Sequence, residues 1–198
     1  MGLDQYITIR HKSTNNAYAK WEKYWKLKDS ERIGIRQPKE PSGALIIGYF
    51  RKHNNVHNWF VENVQKGVDD CGRYRISVDD LQNLKQICEN IMNHVTKTKR
   101  PPKYSTDIHG EQYEVWQYDE YTIADEGMEY VKEHFPSRSG FFFGNTNYND
   151  DYFWTVENTI EVIKRVIDIT NENFFPLYTD RTTGEYTGDW VLEYSSSW

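Results

Sequence analysis

Cysteine is nearly absent from this sequence, which contains Cys71 and Cys88 and no other thiol. The two residues form no CxxC pair and no zinc-ribbon spacing, so a structural zinc site built on thiolates is not expected. Two unpaired thiols are typical of a protein that works in a reducing compartment.

Long apolar runs are also missing. No stretch approaches the roughly 18 consecutive apolar residues that a membrane-spanning helix needs. The opening "MGLDQYITIRHK" has no apolar segment of signal-peptide length. We therefore expect neither a signal peptide nor an association with membranes.

Positively charged residues are outnumbered, because the sequence has 24 Lys and Arg residues and 30 Asp and Glu residues, which gives a formal net charge of -6. Binding to long nucleic acid rewards Lys and Arg over phosphates, so this balance argues against a long nucleic acid as partner. A small anionic ligand in a local basic pocket remains compatible with the sequence.

Common catalytic signatures are missing as well. There is no Walker A loop, no GxSxG elbow and no GxGxxG dinucleotide fingerprint. The "GFFFG" segment at 140–144 lacks a Lys and is read as a buried strand between two tight turns, with a wall of rings beside a pocket as the functional alternative. No cofactor and no enzymatic activity are predicted.

Aromatic residues, in contrast, are abundant, with 15 Tyr and 7 Trp in 198 residues. A chain of this kind often uses its rings both in the core and in recognition. The size and the 37% hydrophobic content suffice for one domain with a core.

The periodicity of apolar residues predicts an α+β protein. Residues 3–9 and the closing "GDWVLEYSSSW" have the character of strands, and 44–50 is read as a strand or the lead into a helix. Helices are predicted over 54–65, from an N-cap at Ser77 through Val95, and over about 151–169 with Asn149 or Asp150 as cap. We expect one domain spanning 1–198, with a small, mostly antiparallel sheet packed against three to four helices.

Two further stretches have a weaker pattern. Trp21, Tyr24 and Trp25 recur at helix-like spacing, and "EQYEVWQYDEYTI" (111–123) alternates like a strand or a hairpin arm. The basic run "TKTKRPPK" (96–103) is expected to stop the helix that precedes it.

The segment "RKHNNVHNWF" (51–60) combines cationic, amide and imidazole groups with large rings. Such polar groups are costly to bury unpaired, so they either pair with one another or await a polar, flat ligand. A helix start with a core Trp explains Trp59 well and the polar groups less well. Cations can neutralise phosphate, amides can read base edges, and rings can stack on bases, which together suit a nucleotide.

Two other arrangements are weighed against this reading. His53 and His57 form an HxxxH pair, but no Glu follows the first His and no third ligand is apparent, so no metal site is predicted. The triplets at His11 and His94 are similar to the paired HxS/T triplets of 2H phosphoesterases. In that alternative the two imidazoles would act as general acid and base.

The chain also resembles a known set of proteins. The motifs "MGLDQY", "FRKHNNVHNWFVENVQKGVDDCGRYRIS", "GFFFGNTNYNDDYF" and "YSSSW" look like those of a widespread family of phage-encoded proteins, in the same order over most of the chain. Relative to shorter members, about 99–136 looks like an insertion. The family is similar to sponge proteins that act against CBASS, a bacterial defence that signals with cyclic oligonucleotides.

The resemblance implies a non-enzymatic protein in the cytoplasm of the infected bacterial host. It would bind a cyclic dinucleotide such as 3'3'-cyclic GMP-AMP without cleaving it, as a homo-oligomer, with a tetramer as the expected form. A protein-binding inhibitor of a host enzyme is the remaining alternative.

The candidate ligand-binding residues are chosen within these motifs by their chemistry. Cations would meet phosphate, amides and imidazole would read polar edges, rings would stack, and serine hydroxyls would donate to the ligand or a neighbouring subunit. In that order they are Arg51 and Lys52; Asn54, Asn55, His57 and Asn58; Trp59, Tyr148 and Trp198; and Ser195 and Ser196.

Overall fold

The computed structural model describes residues 2–11, 44–140, 143–171 and 190–198. Strands and helices within these ranges follow one another along the chain as β1 (Asp4–His11), β2 (Ala44–Arg51), α1 (Asn54–Asn63), β3 (Arg73–Arg75), α2 (Val78–Met92), β4 (Val95–Thr98), β5 (Lys103–Thr106), β6 (Gln112–Val115), β7 (Glu120–Ile123), α3 (Asp125–His134), α4 (Asp150–Asn171) and β8 (Trp190–Ser197). An antiparallel sheet with four helices in the described ranges confirms the predicted α+β class.

The main sheet has four strands in the order β2-β1-β8-β3, and each neighbouring pair is antiparallel. The terminal strands β1 and β8 form its centre, so the two ends of the chain meet there. Side chains alternate between the two faces of a strand, and residues that are register partners share a face. The register therefore separates the face on which the described helices pack from the opposite face, which none of them covers.

The helix-covered face is fixed by a close approach at Gly48. Gly48 pairs with Ile7, and a Cβ built on Gly48 would lie 3.0 Å from Val166 Cγ2 of α4. Ile7 also pairs with Tyr194, whose ring stacks on Phe60 of α1 at 3.8 Å. This face and the helices form the apolar core, in which Ile7, Phe60 and Tyr194 are fully buried.

The helix predicted after Ser77 is confirmed at its start. Ser77 Oγ accepts from the backbone N–H of Asp80 at 3.0 Å, and Asp80 Oδ2 accepts from the backbone N–H of Ser77 at 2.7 Å. This capping box satisfies two amide groups that a helix start otherwise leaves unpaired. The same logic applies at α4, where Asn149 Oδ1 accepts from the backbone N–H of Tyr152 at 3.3 Å.

The prediction that this helix runs through Val95 is wrong. α2 ends at Met92, and Val95–Thr98 pairs with Glu120–Ile123 as a two-stranded sheet. The basic run at 96–103 thus begins in a strand, because pairing with a distant segment decides its conformation. Trp21, Tyr24 and Trp25, for which a helix-like spacing was noted, lie outside the described residues.

The 99–136 segment combines an exposed hairpin with a helix that reaches the core. Strands β5 and β6 pair with each other, whereas Val131 of α3 and Phe135, directly after that helix, belong to the core. That this segment is an insertion stays a prediction. In the "GFFFG" stretch, Phe143 is buried but belongs to no strand, and 141–142 lie outside the described residues. None of the helices in the described ranges is long and apolar enough to span a membrane.

Candidate functional site

The polar residues at the start of α1 are largely paired within the protein. His53 lies 2.8 Å from the carbonyl of Arg51 through Nδ1 and 3.0 Å from Asn158 Oδ1 through Nε2. Asn55 Nδ2 donates to Thr155 Oγ1 at 2.8 Å, and its Oδ1 accepts from the backbone N–H of Val56. These groups cost little to bury because each has found a partner.

His57 lies at the centre of a buried hydrogen-bond chain. Its Nε2 is 2.9 Å from Asp69 Oδ1 and its Nδ1 is 2.9 Å from the hydroxyl of Tyr194. That hydroxyl also lies 3.1 Å from Gln5 Oε1, and Gln5 Nε2 donates to the carbonyl of His53 at 3.0 Å. The chain joins α1 to both central strands of the sheet, so His57 serves the fold.

Burial lowers the pKa of His57, and the neighbouring Asp69 carboxylate opposes that shift only in part. The neutral imidazole then donates from Nε2 to Asp69, and its Nδ1 shares the single proton of the Tyr194 hydroxyl with Gln5 Oε1. His53 is likewise buried, and burial lowers its pKa. The prediction that His57 reads a ligand edge is therefore replaced by a structural role, because both ring nitrogens are already occupied.

Lys52, Asn54 and Asn55 do come together, but around a very small cleft. The cleft has a volume of about 10 Å³, which is room for one water molecule rather than a nucleotide. Asn54 Nδ2 donates to the carbonyl of Asn145 at 2.7 Å, so the amide ties α1 to the segment before α4. Lys52 is exposed at the rim and adopts a positive φ of 60°.

Asn58 and Trp59 line a different and larger pocket of about 250 Å³. Glu62 and Glu133 also line it, and two carboxylates disfavour the phosphates of a nucleotide. Trp59 is 4% exposed and belongs to the core. This buried position beside two carboxylates does not fit the predicted role of Trp59 as a ring that stacks on a nucleotide base.

The other predicted rings and hydroxyls lie in three separate places. Tyr148 is half-buried with its ring centre 5.0 Å from that of Tyr152, and Trp198 is 37% exposed with its ring centre 5.5 Å from His57. Ser196 is 4% exposed on the helix-covered face, where it has no access to a ligand. The predicted residues thus do not form one site.

Arg51 and Ser195 are the exception, since both lie on the face of the main sheet opposite the helices. In the register, Tyr49, Tyr6, Ser195 and Arg73 form one row across all four strands. Neighbouring strands lie about 4.8 Å apart, so the row spans about 14 Å. Hereafter this set of four residues is called the Tyr-Arg row.

The two tyrosines of the row contact each other, with ring centres 5.6 Å apart and planes tilted by 43°. Both rings are half-buried, so part of each ring surface is open to solvent. The hydroxyl of Tyr49 donates to Asp4 Oδ1, and burial together with this bond raises the pKa of Tyr49. The Tyr49 ring is therefore neutral and is held in a fixed orientation by Asp4.

Arginines surround the row. Arg51 has a side chain that is 58% exposed and lies 3.5 Å from Asp4, a long contact for an ion pair. Arg73 is exposed and has no acidic partner within the described ranges. Arg10 donates to Glu193 from Nε at 3.1 Å and from Nη2 at 2.5 Å, and Arg75 is the register partner of Glu193.

This face is locally basic on an acidic protein. Among the described strand residues, this side of the sheet carries four arginines and two carboxylates, those of Asp4 and Glu193. Aromatic rings beside guanidinium groups suit a ligand that combines flat bases with phosphates.

Tyr6, Tyr49 and Arg73 were not among the residues predicted from the sequence. The sequence signal that could have identified them is the alternation of side chains between the two faces of a strand. Tyr6 lies between two inward-facing residues of β1, and Arg73 and Arg75 lie on either side of Tyr74 in "RYR". A three-residue strand, however, has no periodicity that identifies it without its partner β8.

The phosphoesterase alternative finds little support in the geometry. His11 ends β1 and lies edge-on to Trp190 at 4.7 Å, whereas His94 follows α2 with its Nδ1 3.5 Å from Glu126 Oε1. Only His11 lies on a strand, and the paired-triplet arrangement requires both. In the part of the chain that the structure describes, no group of three or more His, Cys, Asp or Glu residues is arranged to hold a metal.

No family model, no curated protein and no solved structure matches this chain. Its function therefore has to be inferred from the residues and their geometry.

Proposed function

We propose that this protein binds and sequesters a cyclic dinucleotide defence signal, such as 3'3'-cyclic GMP-AMP, without cleaving it. The binding surface is the face of the main sheet opposite the helices, with the Tyr-Arg row at its centre. The observation that carries the proposal is the row itself, which places two contacting tyrosine rings, a serine hydroxyl and an exposed arginine in register.

The ligand chemistry follows from these groups. Tyr6 and Tyr49 offer stacking surfaces, worth about 1–3 kcal/mol per base. Arg51 and Arg73 offer charge-assisted hydrogen bonds to phosphate, worth about 1.5–3 kcal/mol each. Two contacts of each kind total about 5–12 kcal/mol before the cost of association, so tight binding also requires a preorganised surface that keeps this cost low.

Several features favour sequestration over chemistry or over long nucleic acid. Catalysis would need an acid and a base positioned on the ligand, and His11 and His94, the pair suggested by the sequence, lie in different surroundings. The formal net charge of -6 repels long nucleic acid, while the local arginines still attract a small dianion.

The resemblance to phage proteins gives this activity its setting. In the cytoplasm of an infected bacterial host, a protein that holds the cyclic nucleotide would deprive a CBASS effector of its activator. A homo-oligomer, with a tetramer as the expected form, belongs to the same proposal. Sedimentation equilibrium of the free and ligand-bound protein measures that state.

The experiment is a calorimetric titration with 3'3'-cyclic GMP-AMP, followed by denaturation and chromatography of the recovered nucleotide. We expect saturable binding and recovery of the intact cyclic compound. Arg51→Ala should weaken binding about tenfold or more. Arg100→Ala is the matched control, because Arg100 is 41% exposed and pairs with Asp150 near the hairpin instead.

Other outcomes would decide against the proposal. Linear product that disappears in His11→Ala would identify a phosphoesterase. Absence of binding to a panel of cyclic di- and trinucleotides would favour the protein-binding inhibitor. Equal affinity of Arg51→Ala and Arg100→Ala would remove Arg51 from the binding surface.

A further inference from the structure

Asp4 places a carboxylate on the face of the sheet that is proposed to hold phosphates. It is the register partner of Arg51 on β2 and of Ser197 on β8, and it lies on the same face as Tyr6, two residues along β1. A negative charge beside a phosphate opposes binding unless it meets another part of the ligand. Phosphate contacts therefore do not account for Asp4.

The second carboxylate on this face, that of Glu193, is already used inside the protein. Its side chain is 5% exposed, and its two oxygens accept from Arg10 at 3.1 Å and 2.5 Å. A buried carboxylate in such a bidentate pair serves the sheet rather than a ligand. Among the described strand residues, Asp4 is the carboxylate of this face that a ligand can use.

Asp4 differs from Glu193 because only one of its two oxygens is engaged. Its Oδ1 accepts from the Tyr49 hydroxyl and lies 3.5 Å from Arg51 Nη1, whereas its Oδ2 has no donor within the described residues. The side chain is 22% exposed, so a ligand can reach it. The bond from Tyr49 fixes the carboxylate before a ligand arrives, which lowers the entropy cost of binding.

A carboxylate beside a stacking ring matches the Watson–Crick edge of guanine. Guanine presents two adjacent donors there, N1–H and the N2 amino group, and a carboxylate has acceptor positions for both. Adenine presents the N6 amino group and the N1 lone pair, and that lone pair would face a negative oxygen. Residues two apart on a strand lie about 7 Å from each other, so a base stacked on Tyr6 can turn this edge towards Asp4.

We propose that Asp4 is a specificity-determining residue that makes this face select cyclic dinucleotides containing guanine. The inference rests on the proposed function, because it assigns one base of the proposed ligand to a position on the Tyr-Arg row. Guanine stacks on Tyr6 and donates from N1 and N2 to Asp4, while Arg51 and Arg73 contact the phosphates. A ligand with two adenines forms the phosphate contacts but lacks this pair of bonds.

The test compares 3'3'-cyclic GMP-AMP with 3'3'-cyclic di-AMP in calorimetric titrations of the wild type and of Asp4→Asn. The two ligands share their phosphates and differ in one base. The wild type should bind 3'3'-cyclic GMP-AMP about fivefold to hundredfold more tightly, the range for a bidentate contact with a base. Asp4→Asn keeps an oxygen for the Tyr49 hydroxyl and replaces the other oxygen by a donor, so this preference should largely disappear.

Arg73→Ala is the matched control, because a phosphate contact is common to both ligands and Arg73 lies two strands away from Tyr6. This variant should weaken both ligands by a similar factor and leave the ratio of their dissociation constants unchanged. If Asp4→Asn also weakened both ligands equally, Asp4 would only position Tyr49, and the proposal would be overturned.

A third ligand tests the contact in the wild type itself and does not depend on how a variant folds. 3'3'-Cyclic IMP-AMP lacks only the N2 amino group of the guanine, so its affinity should fall between those of the other two ligands. Equal affinity of the wild type for 3'3'-cyclic GMP-AMP and either of the other ligands would overturn guanine selection and leave the proposed sequestration standing. Absence of binding to all three ligands would overturn both.

Discussion

Replacement of Tyr194 by Phe removes one hydroxyl from the buried chain through His57 and leaves the ring in place. The phenyl group can still stack on Phe60, so the packing of the core is retained. His57 Nδ1 and Gln5 Oε1 lose the hydroxyl that lies 2.9 Å and 3.1 Å from them. The hydroxyl has one proton to donate, so the variant leaves one buried acceptor unpaired, and we expect a loss of about 1–3 kcal/mol in the free energy of unfolding.

A loss of that size is a large share of the roughly 5–15 kcal/mol that typically stabilises a protein. Urea unfolding followed by tryptophan fluorescence measures it, with comparison of the midpoints at equal slope. Tyr130→Phe is the matched control, because its hydroxyl accepts from Asn90 at 3.1 Å in a half-buried position. A loss below about 1 kcal/mol in Tyr194→Phe, or an equal loss in both variants, would refute a structural role for the buried hydrogen-bond chain through His57.

Three further predictions concern pH, capping and thiol reactivity. Burial lowers the pKa of His53 and His57 below the usual 6.5, so the unfolded chain binds more protons near that pH. The free energy of unfolding should therefore fall as the pH is lowered from about 7.5 to about 5. A rise in the free energy of unfolding over this range would contradict the prediction. Ser77→Ala should cost about 1 kcal/mol by loss of the capping box, whereas exposed Ser139→Ala should cost almost nothing, and equal urea midpoints would contradict the cap. A thiol reagent should modify Cys71 alone in the native protein, because Cys88 is buried and burial raises its pKa well above the usual value; two modified thiols before unfolding would contradict this.

Features with a local cause could be predicted from the sequence. The strand at Asp4–His11 follows from alternation, and the helix after Ser77 follows from a cap with acidic residues in its first turn. Both depend on neighbours within a few residues. Val95 was misassigned because its strand pairs with Ile123, a partner that the local sequence does not reveal.

The candidate site illustrates the same limit. The polar residues near Trp59 suggested a ligand because their partners Thr155, Asn145 and Asp69 are distant in sequence. Conversely, Arg73 looked unremarkable because it lies on a three-residue strand. Only the register with Ser195 places it beside the tyrosine rings.

The most direct test of the proposed nucleotide site is the affinity of Arg73→Ala for 3'3'-cyclic GMP-AMP at fixed ionic strength. Arg73 is exposed, and its assignment to the site derives from strand register alone. Loss of a charge-assisted contact of about 1.5–3 kcal/mol predicts a dissociation constant about tenfold to hundredfold higher than that of the wild type. An unchanged dissociation constant, or no binding by the wild type, would contradict the proposal that this face of the sheet holds the cyclic dinucleotide.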